Sequence, residues 1–350
     1  MKQGGRNRIL IFNVNWIGDV LFSTPVIRNI RLNYPDSFIA CIITGRCYPV
    51  LKDNPHLDEV IIFDEKDRHR GVLAKLSFIR SLRRKGFDTV FLLHRSFSRA
   101  FLCWLAGIKE RIGYNTAKRA FILTKGIKMP GKDSLHRIDF YLNIIEQAGL
   151  RVEDRYTEIF LSEEDRQAAD EFLRHEGITS GDFLVVINPA GNWMPKRWPC
   201  GHWKRLADRL IKEFQARLII SGGLQDVPLA RQIRQASGGK AIIACGVLNL
   251  RQFAALSKKA DVFISADSGP LHIANSAGAK KIIALFGPTH PSITGPYPLK
   301  NVIILNKDIG CKVPCYEVNC PDNRCMSVID VEDVIRRVSL LRGKQGTGAA

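Results

Sequence analysis

The sequence predicts an α/β protein made of two successive Rossmann-like halves. Three observations carry this. Short apolar runs alternate with helix-length stretches along residues 8–148. The alternation stops over a polar stretch at 149–160 and restarts at 183. The length of 350 residues, 45% of them hydrophobic, suits about two globular domains with substantial cores.

In the first half, strands are expected at RILIFNV (8–14), SFIACIIT (37–44), EVIIFD (59–64) and TVFLLH (89–94). Helical stretches lie at 20–33, 73–85, 96–107 and 134–148. Short apolar runs joined through helices imply parallel strands with crossover connections. Residues 149–160, GLRVEDRYTEIF, read as a linker. A helix at 162–175 follows, with Ser162 as N-cap and an acidic first turn. In the second half, strands are expected at 183–189, 216–222, 241–245, 261–267 and 281–287, with helices at 202–214, 226–236, 250–258 and 270–277. A last helix spans 330–341 and the tail 343–350, GKQGTGAA, reads as disordered. Ligands of such sheets bind beyond the carboxyl ends of the strands, so the expected site is the cleft between two domains.

Composition narrows the partners. The chain carries 52 Lys+Arg against 34 Asp+Glu, a net charge of +18; residues 1–150 hold 25 against 13 and the remainder 27 against 21. The basic first half suits an anionic partner: nucleic acid, an anionic membrane surface, or a phosphorylated or acidic substrate. A merely solubilising surface is the plain alternative. No segment reaches the roughly 18 uninterrupted apolar residues that span a bilayer. The opening MKQGGRNR leads into a strand and not into a signal-peptide core, so a cytosolic location is expected. Nine cysteines in such a chain suggest reduced thiols, with metal binding as the rival. There is no G-x-G-x-x-G, no Walker A loop and no D-x-D. A nucleotide-diphosphate enzyme lacking a carboxylate pair for Mg²⁺ must neutralise phosphate with lysine, arginine or helix amides.

Five stretches could carry chemistry. In NVNWIGDVLFSTP (13–25), Asp19 stands at a strand-to-helix turn. It is either a first-turn acid stabilised by the helix dipole or a general base. In NPAGNWMPKRWPCGHW (188–203), Pro195 and Pro199 stiffen a loop that presents Lys196 and Arg197, with Trp198 as anchor. A cation at a strand's carboxyl end suits a diphosphate; a surface Lys-Arg pair is the alternative. In SADSGPLHIANSAGAKKIIALFGPTHP (265–291), Asp267 ends a strand, and Ser268, Gly269 and Pro270 open a helix with His272 one turn in. That start is a natural anion site, and Asp267 could bind sugar hydroxyls; capping and a packed histidine are the alternative. Cys311, Cys315, Cys320 and Cys325 lack C-x-x-C spacing; four thiolates could still bind metal, and a packed loop is the other reading. Finally, RSFSRAFLCWLAGIKERIGY (95–114) has an apolar centre flanked by Arg95, Arg99, Lys109 and Arg111. It is either a buried crossover helix with charged ends or a segment that dips into a membrane interface.

Together, NVNWIGDVLFSTPVIRNIR, NPAGNWMPKRWP, SADSGPLHIANSAGAKKIIALFGPTHP and the late PC…C…CM stretch resemble the ADP-heptose:lipopolysaccharide heptosyltransferases, glycosyltransferase family 9, nearest the heptosyltransferase II branch. The resemblance covers essentially residues 8–341. It implies a GT-B fold: an acceptor-binding domain at 1–155 and a nucleotide-sugar-binding domain at 156–342. The C-terminal helix is then a candidate to pack back on the first domain. It also implies inverting, metal-independent transfer of heptose from ADP-heptose, with no cofactor. The acceptor is the anionic inner core of lipopolysaccharide, at the cytoplasmic face of the inner membrane. By motif, Asp19 matches the catalytic base and Lys196 the lysine on the donor's phosphate and sugar. Asp267 matches the aspartate that holds the heptose, with Ser268, Gly269, Pro270 and His272 around the donor. Asp226 matches an acid near the donor ribose, and Arg95, Ser96, Ser98 and Arg99 align with the acceptor side. A monomer that binds no nucleic acid is expected. The rival readings are another nucleotide sugar or core position, and a non-catalytic nucleic-acid binder.

Overall fold

Two six-stranded parallel sheets organise the chain. The computed structural model describes residues 7–191 and 193–343 and divides into two units, Met1–Phe160 and Leu161–Ala350. The first unit contains β1 (Arg8–Phe12), β2 (Phe38–Ile43), β3 (Glu59–Ile62), β4 (Thr89–Leu92), β5 (Glu110–Tyr114) and β6 (Lys125–Ile127), in the order β3-β2-β1-β4-β5-β6. The second contains β7 (Leu184–Asn188), β8 (Arg217–Ile220), β9 (Ile242–Ile243), β10 (Val262–Ala266), β11 (Ile282–Phe286) and β12 (Val302–Asn306), in the order β12-β11-β10-β7-β8-β9. Counted from β7, this repeats the first sheet's order, the doubly wound arrangement. The order reverses between β1 and β4 in one sheet and between β7 and β10 in the other. Such a reversal, beyond the carboxyl ends of the strands, is where ligands of these sheets bind.

All nine expected strands are present, and three more join them: β5, β6 and β12. β5 and β6, ERIGY and KGI, are short and carry charges and glycine, so no apolar run announces them. Gly113 is required where it stands, because a Cβ there would lie 2.9 Å from the Leu92 carbonyl oxygen of β4. β12 is an edge strand with half-buried residues.

The single helix expected at 20–33 is two, Ile17–Phe22 and Thr24–Asn33. Pro25 has no N–H to continue the ladder. The Thr24 hydroxyl instead donates to the Leu21 carbonyl at 2.8 Å. The Ser162 cap forms as expected: Ser162 and Asp165 make a reciprocal capping box at the start of Glu163–His175.

Residues 149–160 have no regular structure, but they are tied down to the first unit. Arg28, 4% exposed, donates to Asp154 Oδ2 (2.8 Å), Glu158 Oε2 (2.5 Å) and the Tyr156 carbonyl (2.8 Å). Its guanidinium also lies 3.8 Å from the Tyr156 ring centre. A buried cation needs this many partners to offset its lost hydration.

Both faces of the second sheet are covered, as an all-parallel sheet requires. Val185, Ile187, Val262 and Ile264 face one core, with Trp203 and Leu206 of helix Cys200–Phe214. Leu184, Val186 and Phe263 face the other, with Leu256 and Leu271. The last helix, Val331–Gly343, places Val331, Val334, Ile335 and Val338 in the first of these cores, at helical spacing. Its buried stripe is therefore satisfied within the second unit. The tail from residue 344 onward lies outside the described residues.

Candidate active site

In the first unit, β1 ends at Phe12 and the chain turns through Asn13, Val14 and Asn15 into helix Ile17–Phe22, where Asp19 is the third residue. No side-chain cap forms at that helix start. Instead Tyr141 Oη, from helix Arg137–Gln147, donates to Asp19 Oδ1 at 2.9 Å. Asp19 is partly exposed and Tyr141 is buried. Burial first, and then the Asp19 charge, push the Tyr141 phenol well above its ordinary value. Tyr141 therefore keeps its proton and orients the carboxylate.

The turn itself is braced from three sides. Asn13, fully buried, donates from Nδ2 to Ser23 Oγ at 2.8 Å. Arg46 donates from Nε to the Asn15 carbonyl at 2.9 Å. Arg99 donates to the Asn13 carbonyl (2.9 Å) and to Asn15 Oδ1 (2.8 Å). Arg99 is 2% exposed, and Glu65 lies 3.7 Å from its guanidinium. Expected among the acceptor contacts, Arg99 is buried here, with its bonds to the Asn13 carbonyl and the Asn15 side chain under Asp19. Arg95 remains exposed at the start of helix Phe97–Leu105, and Ser96 Oγ and Ser98 Oγ lie 2.7 Å apart beside it.

Burial and the charges of Arg99, Arg119 and Arg95 lower the pKa of neighbouring His94 to about 4. Its Nδ1 accepts the Ser96 amide at 3.0 Å, which requires the neutral ring. A histidine with a depressed folded pKa contributes fully above its unfolded value and less as pH falls. Stability measured by urea titration is thus expected to decline between pH 6.5 and about 4, and His94→Asn should flatten that decline. An unchanged slope in the variant would remove His94 as the cause.

In the second unit, Lys196 follows β7 and Asp267 follows β10, the two strands at which the order reverses. Lys196 Nζ donates to Asp267 Oδ2 at 2.6 Å. The same carboxylate accepts from Thr289 Oγ1 (2.5 Å) and Thr294 Oγ1 (3.1 Å), and His272 Nε2 lies 3.3 Å from Oδ1. Asp267 is 2% exposed. Burial alone would raise its pKa, but the His272 bond and the Lys196 charge outweigh burial and hold the carboxyl well below the usual range. Ser268 and Gly269 lead into helix Gly269–Ser276 with Pro270 at its second position. The Ser268 hydroxyl makes no cap; it lies 3.3 Å from Ser265 Oγ. The lysine loop is fixed by Trp198, 2% exposed, whose Nε1 donates to the Ile329 carbonyl at 2.8 Å. Asp226 follows β8, next to β7, but its Oδ2 accepts the Gly223 amide at 2.8 Å and does not join the Asp267 cluster.

Sequence reasoning singled out Lys196, Asp267 and His272, and these three meet. It missed Tyr141, Thr289 and Thr294. Tyr141 lies in the apolar stripe Ile138–Tyr141–Leu142–Ile145 and reads as core. The four late cysteines are free thiols, Cys311 exposed and the others half-buried. Burial first, and then the charges of the other three, raise the Cys325 pKa. Among the described residues no cluster of three or more His, Cys, Asp or Glu is placed to hold a metal ion.

The family model described as glycosyltransferase family 9 (heptosyltransferase) matches residues 75–325. The chain belongs to this family. It is a glycosyltransferase, and its fold is of the GT-B class. Among family 9 relatives, lipooligosaccharide heptosyltransferase 2 of Haemophilus ducreyi is 28% identical over 316 residues, 87% of this chain and 90% of that protein. Lipopolysaccharide heptosyltransferase 2 of Escherichia coli is 24% identical over 311 residues, 85% of this chain and 87% of that protein. Among solved structures, the family 9 glycosyltransferase of Veillonella parvula has a TM-score of 0.87 at 28% identity, covering 97% of this chain and 98% of that one. Family membership sets aside the non-catalytic nucleic-acid binder.

Proposed function

We propose that this family 9 enzyme transfers heptose from ADP-heptose to the inner core of lipopolysaccharide, with inversion and without a metal. The observation that carries the reading is the Lys196–Asp267 pair at the strand-order reversal of the second sheet. The names of the heptosyltransferase relatives support the choice of sugar and acceptor.

The acceptor hydroxyl attacks the anomeric carbon from the face opposite the nucleotide. Asp19 takes the hydroxyl proton as the new C–O bond forms, held by Tyr141 for that purpose. The bond to ADP breaks with its electron pair on the diphosphate. Lys196 and the first amides of helix Gly269–Ser276 meet the growing negative charge, which is the work a metal does in other glycosyltransferases. Asp267 orients the heptose hydroxyls, with His272 beside it, and Asp226 lies near the ribose. Arg95, Ser96 and Ser98 contact the acidic acceptor. The enzyme acts as a monomer at the cytoplasmic face of the inner membrane.

The test is a panel of nucleotide sugars offered with truncated lipopolysaccharide acceptors, read by release of the nucleoside diphosphate. ADP-heptose with a Kdo-lipid A or heptosyl-Kdo-lipid A acceptor is the expected productive pair. Turnover with another nucleotide sugar and none with ADP-heptose would replace the donor assignment.

Tyr141→Phe removes one hydrogen bond to the proposed base and leaves the ring in place. Its expected cost is about 0.5–1.5 kcal/mol in kcat, with the KM for donor unchanged. A loss confined to donor KM would contradict the role given to Tyr141.

A further inference from the structure

Helix Phe97–Leu105 is apolar on both sides. Its inner face, Ala100, Leu102 and Cys103, packs in the first unit's core. Its outer face is mostly apolar, with Ser98 its one polar member: Phe97 is 39% exposed, Phe101 37%, Trp104 51% and Leu105 38%. The contrast with helix Cys200–Phe214 is direct, since that helix shows solvent Arg205, Lys212 and Glu213. The exposed rings are also ordered against one another. Phe97 stacks on Phe101 at 5.7 Å and Phe101 on Trp104 at 5.6 Å, while Phe121, 79% exposed on the segment before β6, lies 6.2 Å from Phe97. A soluble protein rarely leaves contiguous aromatic surface of this kind uncovered without a partner for it.

The surroundings specify the partner. From Arg95 to Lys132 the chain carries nine basic residues and a single acid, Glu110. Arg99 and Arg119 are buried, but Arg95, Lys109, Lys118, Lys125, Lys128 and Lys132 are exposed. A cavity of about 400 Å³, open to solvent, is lined by Asn115, Thr116, Lys128 and Ala120, the residue before Phe121, among others. An apolar aromatic centre with a cationic, acid-poor rim matches a bilayer interface, where rings sit at headgroup depth and lysines meet lipid phosphates. No helix among the described residues is long and apolar enough to cross a membrane, so the contact is one of lying on the surface.

We propose that the Phe97–Phe101–Trp104–Phe121 ladder docks the first unit on an anionic lipid bilayer, its rings entering the interface and the surrounding lysines pairing with lipid phosphates. This deepens the proposed function and rests on it only for the presence of a lipid-borne acceptor. Arg95 and Ser96, at the start of the same helix, would then stand at the membrane surface where such an acceptor projects.

The test uses the full chain and vesicle sedimentation. Wild-type protein is expected to bind phosphatidylglycerol/phosphatidylethanolamine vesicles and to bind phosphatidylcholine vesicles more weakly. The variant carrying Phe101→Ser, Trp104→Ser and Phe121→Ser should lose roughly tenfold or more in vesicle affinity while binding ADP as before, which also reports that it folds. Trp104→Phe should still bind vesicles but lose the blue shift of tryptophan emission that vesicles induce. Equal vesicle binding by the triple variant would overturn the proposal, as would a wild-type protein that ignores anionic vesicles. A wild-type dimer that the triple variant dissolves, with no vesicle binding by either, would assign the ladder to self-association instead. The donor panel needs no bilayer, so either reading can fail alone.

Discussion

Asp19→Asn is expected to slow sugar transfer by orders of magnitude while ADP still binds. The substitution keeps the size of the side chain and an oxygen for Tyr141 Oη, which now donates at 2.9 Å. It removes only the ability to take a proton. General-base catalysis contributes about 10²–10⁴-fold, so kcat should fall by that order. ADP affinity, measured by calorimetry, should not move, because the proposed donor cluster lies on residues of the second unit. The braces under the turn, from Arg46 and Arg99, do not involve the Asp19 side chain, so melting should change little. A variant that turns over near the wild-type rate would leave Asp19 as a helix residue without a chemical task.

Lys196→Ala is expected to lower kcat/KM for the donor by about 10²–10³-fold, the order seen when one donor to a developing anion is removed. Lys196→Arg should recover only part of this, since a planar fork does not replace a compact ammonium. The lysine also offsets a charge that is 2% exposed. Its loss leaves Asp267 with His272, Thr289 and Thr294, so some thermal destabilisation should accompany the kinetic effect. The two can be separated by measuring donor kinetics well below the variant's melting temperature. Unchanged kinetics with a lowered Tm would make the pair structural.

Much of the architecture is legible in the sequence because buried parallel strands read as apolar runs. VFISA of β10 and IIALF of β11 are plain examples. β5 and β6 are not, since Glu110, Arg111 and two glycines interrupt them and pairing, of β5 with β4 and of β6 with β5, decides their state. The helix break at Ser23 was signalled by Pro25, but apolar periodicity on both sides hid it. At the site, Lys196 and Asp267 could be named because each follows a strand end. Tyr141 could not, since its partner is 122 residues away and its spacing is that of core. Arg99 shows what burial adds: an arginine beside serines looks like a ligand contact, and the structure buries it against the Asn13–Asn15 turn.

The repeated strand order has a kinetic consequence. The central strand pairs β1–β4 and β7–β10 join residues distant in the chain: at their amino ends the Arg8 amide meets Asp88 across 80 residues, and the Leu184 amide meets Asp261 across 77. Closing loops of that length costs entropy before any contact repays it. Each central pairing is therefore expected to form later in folding than contacts within one strand–helix segment. A nucleotide that binds the native second unit, as proposed, would favour recovery of the native protein by mass action.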